Sequence, residues 1–162
     1  FVAHVASFRE IEVLDVRPQG VTVTNIRFRQ ANLMEPLDES LVACCDSLSC
    51  LHALEHFGLG RYGDPVCRDG FLKGWENLYR MLTAGGKLYF SVPLGTARIE
   101  FNAHRVFSVD QLLQLVDGKY VIASFAYIDD EGTLLENVNI EEGRSDNFGC
   151  WFGCALLELI KA

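Results

Sequence analysis

The chain lacks three features that would assign a protein to a class at once: surplus positive charge, a long apolar run and paired cysteine motifs. Its formal net charge is −8, so it has no cationic surplus to release counterions from a polyphosphate. No apolar run approaches the ~18 residues that a membrane-spanning helix needs. We therefore expect a soluble domain that binds neither nucleic acid nor membrane.

The six cysteines form no C-x-x-C pair, so neither a zinc ribbon nor a disulfide framework is expected. Most of them lie in apolar, strand-like segments, which favours reduced and buried thiols. Reduced thiols in turn predict a cytoplasmic location. The length of 162 residues predicts a single domain over residues 1–162, large enough to bury one core.

Strand-like and helical patterns alternate along most of the chain. Helices are indicated where apolar residues recur at spacings of three and four, and strands where β-branched and aromatic residues form short runs. The last third differs, because two long apolar strands flank an acidic connection and are expected to pair as an antiparallel hairpin. The predicted strands are 10–16, 25–30, 41–51, 87–92, 120–128 and 151–160, and the predicted helices are 70–82 and 109–116, the second with Ser108 as N-cap.

This order of elements predicts an α/β fold with a mainly parallel sheet and a C-terminal antiparallel hairpin. In such a sheet the ligand crevice lies outside the carboxyl ends of the strands. The segments that follow the predicted strands are therefore where functional side chains are expected.

The order also resembles that of the class I S-adenosylmethionine-dependent methyltransferases, a Rossmann-like fold. The segments that carry the resemblance are EIEVLDVRP, RQANLMEP, LSCLHALEH and LYRMLTAGGKLYFSVP. A closer resemblance is to a family of methyltransferase-like domains catalogued as a domain of unknown function. It is carried by LEHFGLGRYGDP, GGKLYFSVPLG, FNAHRVFS, IDDEG and FGCALLELIK.

One part of the methyltransferase pattern is missing from the sequence. The fold has a glycine-rich loop, D-x-G-x-G or similar, after its first strand, and this loop lets the backbone approach the cofactor. Residues 1–8, FVAHVASF, already have the pattern of the helix that follows that loop. The sequence is therefore interpreted as an N-terminally incomplete methyltransferase fold.

The resemblance implies S-adenosylmethionine as cofactor and a small methyl acceptor, with a sugar-like hydroxyl as one candidate. Asp15 would bind the ribose hydroxyls, and Asn32 and Leu33 would contact the adenine. On the acceptor side, His104 is our first choice for a general base because imidazole titrates near neutral pH. The other residues expected there are Glu55 and His56 as catalytic groups and Arg61, Asn102 and Arg105 as substrate-binding groups.

Alternatives to the enzyme hypothesis remain open at this point. The missing glycine loop favours a non-catalytic methyltransferase-like domain that serves as a binding or scaffold module. His52, Glu55 and His56 also match the H-x-x-E-H pattern of a zinc hydrolase, with Glu131 and Glu136 as distant candidates for a third ligand. Gly58 and Gly60 would end a helix too soon for that site, so no metal is expected. Loop-bracing roles are the alternative for His104 and Arg105.

Overall fold

The computed structural model describes residues 1–20, 22–63, 65–100 and 103–162, and in them strands and helices follow the predicted α/β order. The helices are α1 (Val2–Ala6), α2 (Gly70–Met81) and α3 (Val109–Val116). The strands are β1 (Ile11–Asp15), β2 (Ile26–Gln30), β3 (Cys45–Leu51), β4 (Leu82–Leu94), β5 (Arg98–Ile99), β6 (Arg105–Val106), β7 (Tyr120–Ile128), β8 (Leu134–Leu135) and β9 (Gly153–Lys161).

The main sheet has five strands in the order β3-β4-β9-β7-β8. β3 runs parallel to β4, and β9 runs antiparallel to both β4 and β7. The carboxyl ends of β3, β4 and β7 therefore lie at one edge of the sheet, together with the start of β9. β1 and β2 form a separate parallel pair, and within the described residues no strand joins this pair to the main sheet.

The hydrophobic core lies between the main sheet and the two longer helices. The indole ring of Trp75 on α2 packs against Phe90 of β4 and Tyr120 of β7, with ring centroids 4.9 and 5.2 Å apart. Its Nε1 donates a hydrogen bond to the carbonyl of Leu115 at 2.7 Å, which ties α2 to α3. This packing holds both helices against the main sheet. In the described part of the chain, no helix has the length and apolarity to cross a membrane.

The predicted α/β class and the antiparallel pairing of the last two long strands are confirmed, and most elements lie where the sequence places them. The main sheet is mixed rather than mainly parallel, because β9 pairs antiparallel with both of its neighbours. The N-cap of α3 is Ser108, which forms a full capping box with Gln111. The boundary of β3 was predicted wrongly: Asp38 caps a short 3-10 turn at Glu39–Leu41, and Ala43 has a φ of 47°, so the strand begins only at Cys45. β4 is longer than predicted because it starts directly after α2.

Helix α2 packs closely against the loop that follows β3, and a glycine allows that contact. A Cβ atom on Gly74 would lie 2.4 Å from Cδ2 of the Phe57 ring and 3.3 Å from Cδ1 of Leu54. Leu54 has no exposed surface, so it has little room to move. The absence of a side chain at position 74 therefore sets the distance between the helix and the loop.

The substitution Gly74→Ala tests this contact. At an exposed helical position, replacing glycine by alanine would stabilise the folded protein by about 1 kcal/mol. Forcing an extra methyl group into a packed contact costs about 1–3 kcal/mol. We expect Gly74→Ala to lower the free energy of unfolding, as measured by urea denaturation. Lys73→Ala, on the exposed side of the same helix, is the control. A stabilised Gly74→Ala variant would contradict the close packing.

Candidate functional site

A pocket of about 370 Å³ opens at the carboxyl ends of β3, β4 and β7, beside the start of β9. Its lining combines histidines and carboxylates with apolar groups. The residues that line it are His52, Glu55, His56, Pro93, His104, Ile128, Asp129, Phe152, Gly153 and Cys154. This is the edge where the sheet topology predicts a ligand crevice.

Glu55 is the most deeply buried charged residue of the pocket, with 2 % of its surface exposed. It lies in the 3-10 turn Leu54–His56 that directly follows β3. Its Oε1 faces Nδ1 of His52 at 3.2 Å and Nε2 of His56 at 3.7 Å. Its Oε2 is buried without a hydrogen-bonding partner in the described part of the chain. Because an unpaired buried polar atom is costly, this oxygen marks a place for a donor from a ligand.

His56 joins the turn after β3 to the segment before β6. Its Nδ1 donates a hydrogen bond to the carbonyl of Ala103 at 2.7 Å, since a carbonyl oxygen can only accept. The exposed Arg61 donates to the same carbonyl at 2.9 Å. Arg61 does not line the pocket and instead holds the segment that carries His104. Asn102, the other predicted substrate-binding residue in that segment, lies outside the described residues.

His104 presents an unsatisfied ring nitrogen to the pocket. Its Nε2 is buried and has no hydrogen-bonding partner among the described residues. Its ring lies 5.1 Å from that of Phe152 and 6.2 Å from that of His56. Burial, reinforced by the neighbouring His56, lowers the pKa of His104 below its usual value. The ring is therefore neutral at pH 7 and able to accept a proton.

Arg105 lies behind the pocket rather than in it. It is 6 % exposed, and its guanidinium donates to the carbonyls of Phe57 at 2.6 Å and Glu55 at 3.3 Å. The guanidinium also lies over the ring of Phe71, 4.7 Å from its centroid. Burial lowers the pKa of Arg105 from its usual value. Its position corresponds to the loop-bracing alternative and offers no direct contact with a ligand in the pocket.

Asp15 ends β1, as the sequence predicts. Its carboxylate accepts three hydrogen bonds from Arg17: at Oδ1 from the backbone N at 2.8 Å and Nε at 3.0 Å, and at Oδ2 from a terminal nitrogen at 2.9 Å. These bonds hold the pKa of Asp15 below its usual value. Arg17 also lies 5.0 Å from the ring centroid of Tyr62, which links this strand end to the loop after β3.

Asn32 and Leu33 follow β2 and line a second pocket of about 250 Å³. The side-chain oxygen of Asn32 accepts from the backbone N of Met34 at 3.0 Å. The buried Asn77 of α2 donates to the carbonyls of Leu33 and Glu35, each at 2.8 Å. Helix α2 thereby fixes the loop that carries both predicted adenine contacts.

The side chains predicted to bind the cofactor suit S-adenosylmethionine in part. An ionised carboxylate with a free accepting direction on Oδ2 can take one ribose hydroxyl hydrogen. A second such bond needs the position held by the Arg17 side chain, which is 55 % exposed and so has room to turn away. The pocket after β2 offers apolar and amide surface for a base.

A metal centre receives no support from the described residues. Among residues 1–20, 22–63, 65–100 and 103–162, no three histidine, cysteine, aspartate or glutamate side chains are grouped so as to hold a metal ion. The H-x-x-E-H segment forms a single 3-10 turn after β3 rather than a helix. His52 precedes this turn with a φ of 49°, and its Nε2 lies 3.1 Å from Sγ of Cys154.

Two of the polar residues that line the pocket, Asp129 and Cys154, are not among the site residues that the sequence predicts. Cys154 lies at the start of β9, and its Sγ is 3.1 Å from Nε2 of His52, a contact between residues far apart in sequence. Asp129 follows β7 and belongs to the acidic connection between the last two long strands, which has the composition of a solvated loop. The local signal for this contact is the H-x-x-E spacing of His52 and Glu55, which matches part of a metal motif that the following glycines argue against.

Comparison with known proteins gives a family and a fold. The family described as Caenorhabditis protein of unknown function, DUF268, matches residues 36–148. No curated protein matches the sequence.

Solved structures with the same fold cover nearly the whole chain at 12–13 % identity. The cyclase SpnF has a TM-score of 0.66 over 99 % of this chain and 70 % of its own length. A Burkholderia thailandensis 1,6-didemethyltoxoflavin-N1-methyltransferase, with its substrate and S-adenosylhomocysteine bound, scores 0.62 over 99 % and 65 %. The N-methyltransferase NodS from Bradyrhizobium japonicum, also with S-adenosylhomocysteine, scores 0.57 over 94 % and 66 %. The chain spans about two thirds of the length of these proteins.

Arg105 offers a test of how the pocket is held. Arg105→Met keeps an unbranched side chain but leaves the carbonyls of Glu55 and Phe57 without their donor. We expect a loss of about 3 kcal/mol in the free energy of unfolding, because hydrogen bonds to charged groups contribute about 1.5–3 kcal/mol. Arg68→Met, at an exposed position, should change stability by less than about 0.5 kcal/mol. Equal stability of the two variants in urea titration would refute the bracing role.

Proposed function

The chain belongs to the DUF268 family and has the fold of the class I methyltransferases, and on that basis we propose that it binds S-adenosylmethionine and methylates a small acceptor. One observation carries the proposal. Two buried polar atoms without partners among the described residues, Oε2 of Glu55 and Nε2 of His104, lie in one pocket at the carboxyl edge of the sheet. They are arranged to receive a hydroxyl or amine hydrogen.

The cofactor would supply an electrophilic methyl group, and the chain's own residues would align the acceptor and remove its proton. Glu55 accepts a hydrogen bond from the acceptor at Oε2, which orients the nucleophilic atom. His104 takes the proton at Nε2. His56 holds the carbonyl of Ala103 and so positions His104. Arg61 and Arg105 act from outside the pocket, and Asn102, which lies outside the described residues, stays a predicted substrate-binding residue.

On the cofactor side, Asp15 is proposed to bind the ribose, with Asn32 and Leu33 against the adenine. The carboxylate is ionised near neutral pH, where an aspartate is ordinarily charged, and hydrogen bonds from Arg17 lower its pKa further. The pocket of about 250 Å³ after β2 supports the adenine assignment. Both assignments follow the pattern of the fold rather than a bound ligand.

A second candidate function is a methyltransferase-like domain that no longer catalyses. One contact favours it: the side chain of Arg17 occupies accepting directions of Asp15 that a ribose diol would need. If that pairing persists, S-adenosylhomocysteine will bind weakly or not at all. The two candidates are therefore separated by a binding measurement before any acceptor is known.

Thermal unfolding with S-adenosylhomocysteine tests cofactor binding. A ligand at about 100 times its dissociation constant stabilises the folded state by about 2.7 kcal/mol. We expect Asp15→Asn to weaken binding by about 10- to 100-fold, because it removes charge-assisted hydrogen bonds. Asp117→Asn is the matched control, since Asp117 is exposed and precedes β7 at the opposite edge of the sheet. Absence of any stabilisation would overturn the proposed function.

The assignment of His104 as base predicts a pH profile for methyl transfer. Burial lowers the pKa of His104 below its usual value, so the neutral ring is present at pH 7 and is lost as the pH falls through that lowered pKa. Turnover should therefore be level above about pH 7 and decline in acid. His104→Gln should lower kcat by about 10²- to 10⁴-fold, whereas His4→Gln, on exposed α1, should not. A His104→Gln variant with unchanged kcat would rule out this base.

A further inference from the structure

A second reactive arrangement shares the pocket and is not needed for the proposed methyl transfer. Sγ of Cys154 lies 3.1 Å from Nε2 of His52, and Nδ1 of the same ring lies 3.2 Å from Oε1 of Glu55. A thiol, an imidazole and a carboxylate thus stand in line, each within hydrogen-bonding reach of the next. This is the order of nucleophile, base and orienting group found in cysteine enzymes.

We propose that Cys154, His52 and Glu55 form a nucleophilic thiol site that bonds covalently to a small soft carbon electrophile, an alkyl or acyl group carried on a good leaving group. The sulfur lone pair forms the S–C bond while the bond from carbon to the leaving group breaks. The electron pair of that bond departs with the leaving group. The thiol proton stays on Nε2 of His52, from where it can pass to the leaving group.

The backbone of the turn after β3 presents the imidazole to the sulfur. His52 has a φ of 49°, and its backbone N donates to the carbonyl of Ser91 at 3.0 Å. Left-handed backbone is uncommon in residues other than glycine and often accompanies a functional constraint. In this conformation the His52 ring points toward β9, where Cys154 is the second residue.

Glu55 supplies an independent sign that a ligand enters here. Its side chain is 2 % exposed, lines the pocket and has Oε2 without a partner in the described residues, while Oε1 faces the imidazole. The pocket of about 370 Å³ gives a small electrophile access to the sulfur. Cys154 itself is partly exposed, so the thiol is neither sealed in the core nor a freely solvated surface group.

The local charges agree with this arrangement. The hydrogen bond to Cys154, followed by that to Glu55, raises the pKa of His52 to about 10, so the ring carries a proton at neutral pH. A thiol beside a protonated imidazole is the usual setting of a reactive cysteine. The titratable groups that face the pocket from the surrounding elements are His52, Glu55, His56, His104 and Asp129.

Alkylation by iodoacetamide, read at each cysteine by peptide mass spectrometry, tests the site without cofactor or acceptor. At pH 6.5 we expect Cys154 to be labelled faster than the exposed Cys44 of the same chain. His52→Asn should slow labelling of Cys154 by about tenfold or more, because asparagine tolerates the left-handed backbone but is too short to reach the sulfur. His4→Asn, on exposed α1, should leave the rate unchanged.

The pH dependence separates chemical activation from simple access. Near pH 9.5 an ordinary thiol is already ionised. The difference in the labelling rate of Cys154 between the wild-type protein and His52→Asn should therefore be smaller than at pH 6.5. Glu55→Gln, which keeps the shape of a positioning residue, should slow labelling of Cys154 at pH 6.5 while Cys44 is unaffected. The proposal is overturned if Cys154 of the wild-type protein is labelled no faster at pH 6.5 than Cys154 of His52→Asn. It is also overturned if the difference between the two labelling rates is the same at both pH values. Neither result depends on S-adenosylmethionine.

Discussion

The buried guanidinium of Arg105 is the constraint on which the pocket depends. It donates to the carbonyls of Glu55 and Phe57, and in doing so it gives the short turn after β3 the partners that a helix would otherwise supply. Because the turn is held from behind, its side chains are free to face the pocket. Glu55 is thereby kept buried, with Oε1 toward two histidines and with Oε2 free of partners among the described residues.

Helix α2 supports the same turn from its other side. Gly74 lets the helix approach Phe57, and Asn77 donates to the loop after β2. One helix thus sets the positions of two loops. Under the methyltransferase proposal, the loop after β2 contacts the cofactor and the turn after β3 contacts the methyl acceptor. Packing in the core and geometry at the site are therefore coupled through a few contacts, rather than through a separate rigid frame for each loop.

Local sequence was enough to predict the longer helices and strands, but neither the two-residue strands β5, β6 and β8 nor the contacts between the ends of the elements. Ser108 signals the start of α3 because an N-cap is a short-range interaction, and Asp15 could be placed at a strand end because it closes a short β-branched run. The start of β3 was misplaced since Ala43 adopts a positive φ that no residue type announced. Cys154 was missed because its partner His52 lies on another strand, and no spacing rule connects them.

His52 and His56 illustrate the limit of motif spacing. The H-x-x-E-H pattern predicts a shared ligand only if a helix places both histidines on one face. Gly58 and Gly60 argue against that helix, and in the structure residues 54–56 form a single 3-10 turn. The two rings then have separate tasks, because one reaches Cys154 and the other the carbonyl of Ala103. Both rings lie beside Glu55, so the motif marks a real cluster of side chains without forming a metal site.

The pocket holds two histidines whose surroundings act in opposite directions, and this bears on whether two chemistries can share it. Hydrogen bonds to Cys154 and Glu55 raise the pKa of His52, whereas burial and His56 lower that of His104. Titratable groups driven apart in this way are suited to different proton-transfer roles. A protonated His52 does not compete for the proton of an acceptor. A neutral His104 does not donate an extra proton to the sulfur of Cys154. The proposed base and the proposed nucleophile are therefore compatible near neutral pH, and a covalent adduct on Cys154 would be expected to block the acceptor site because both open into the same cavity.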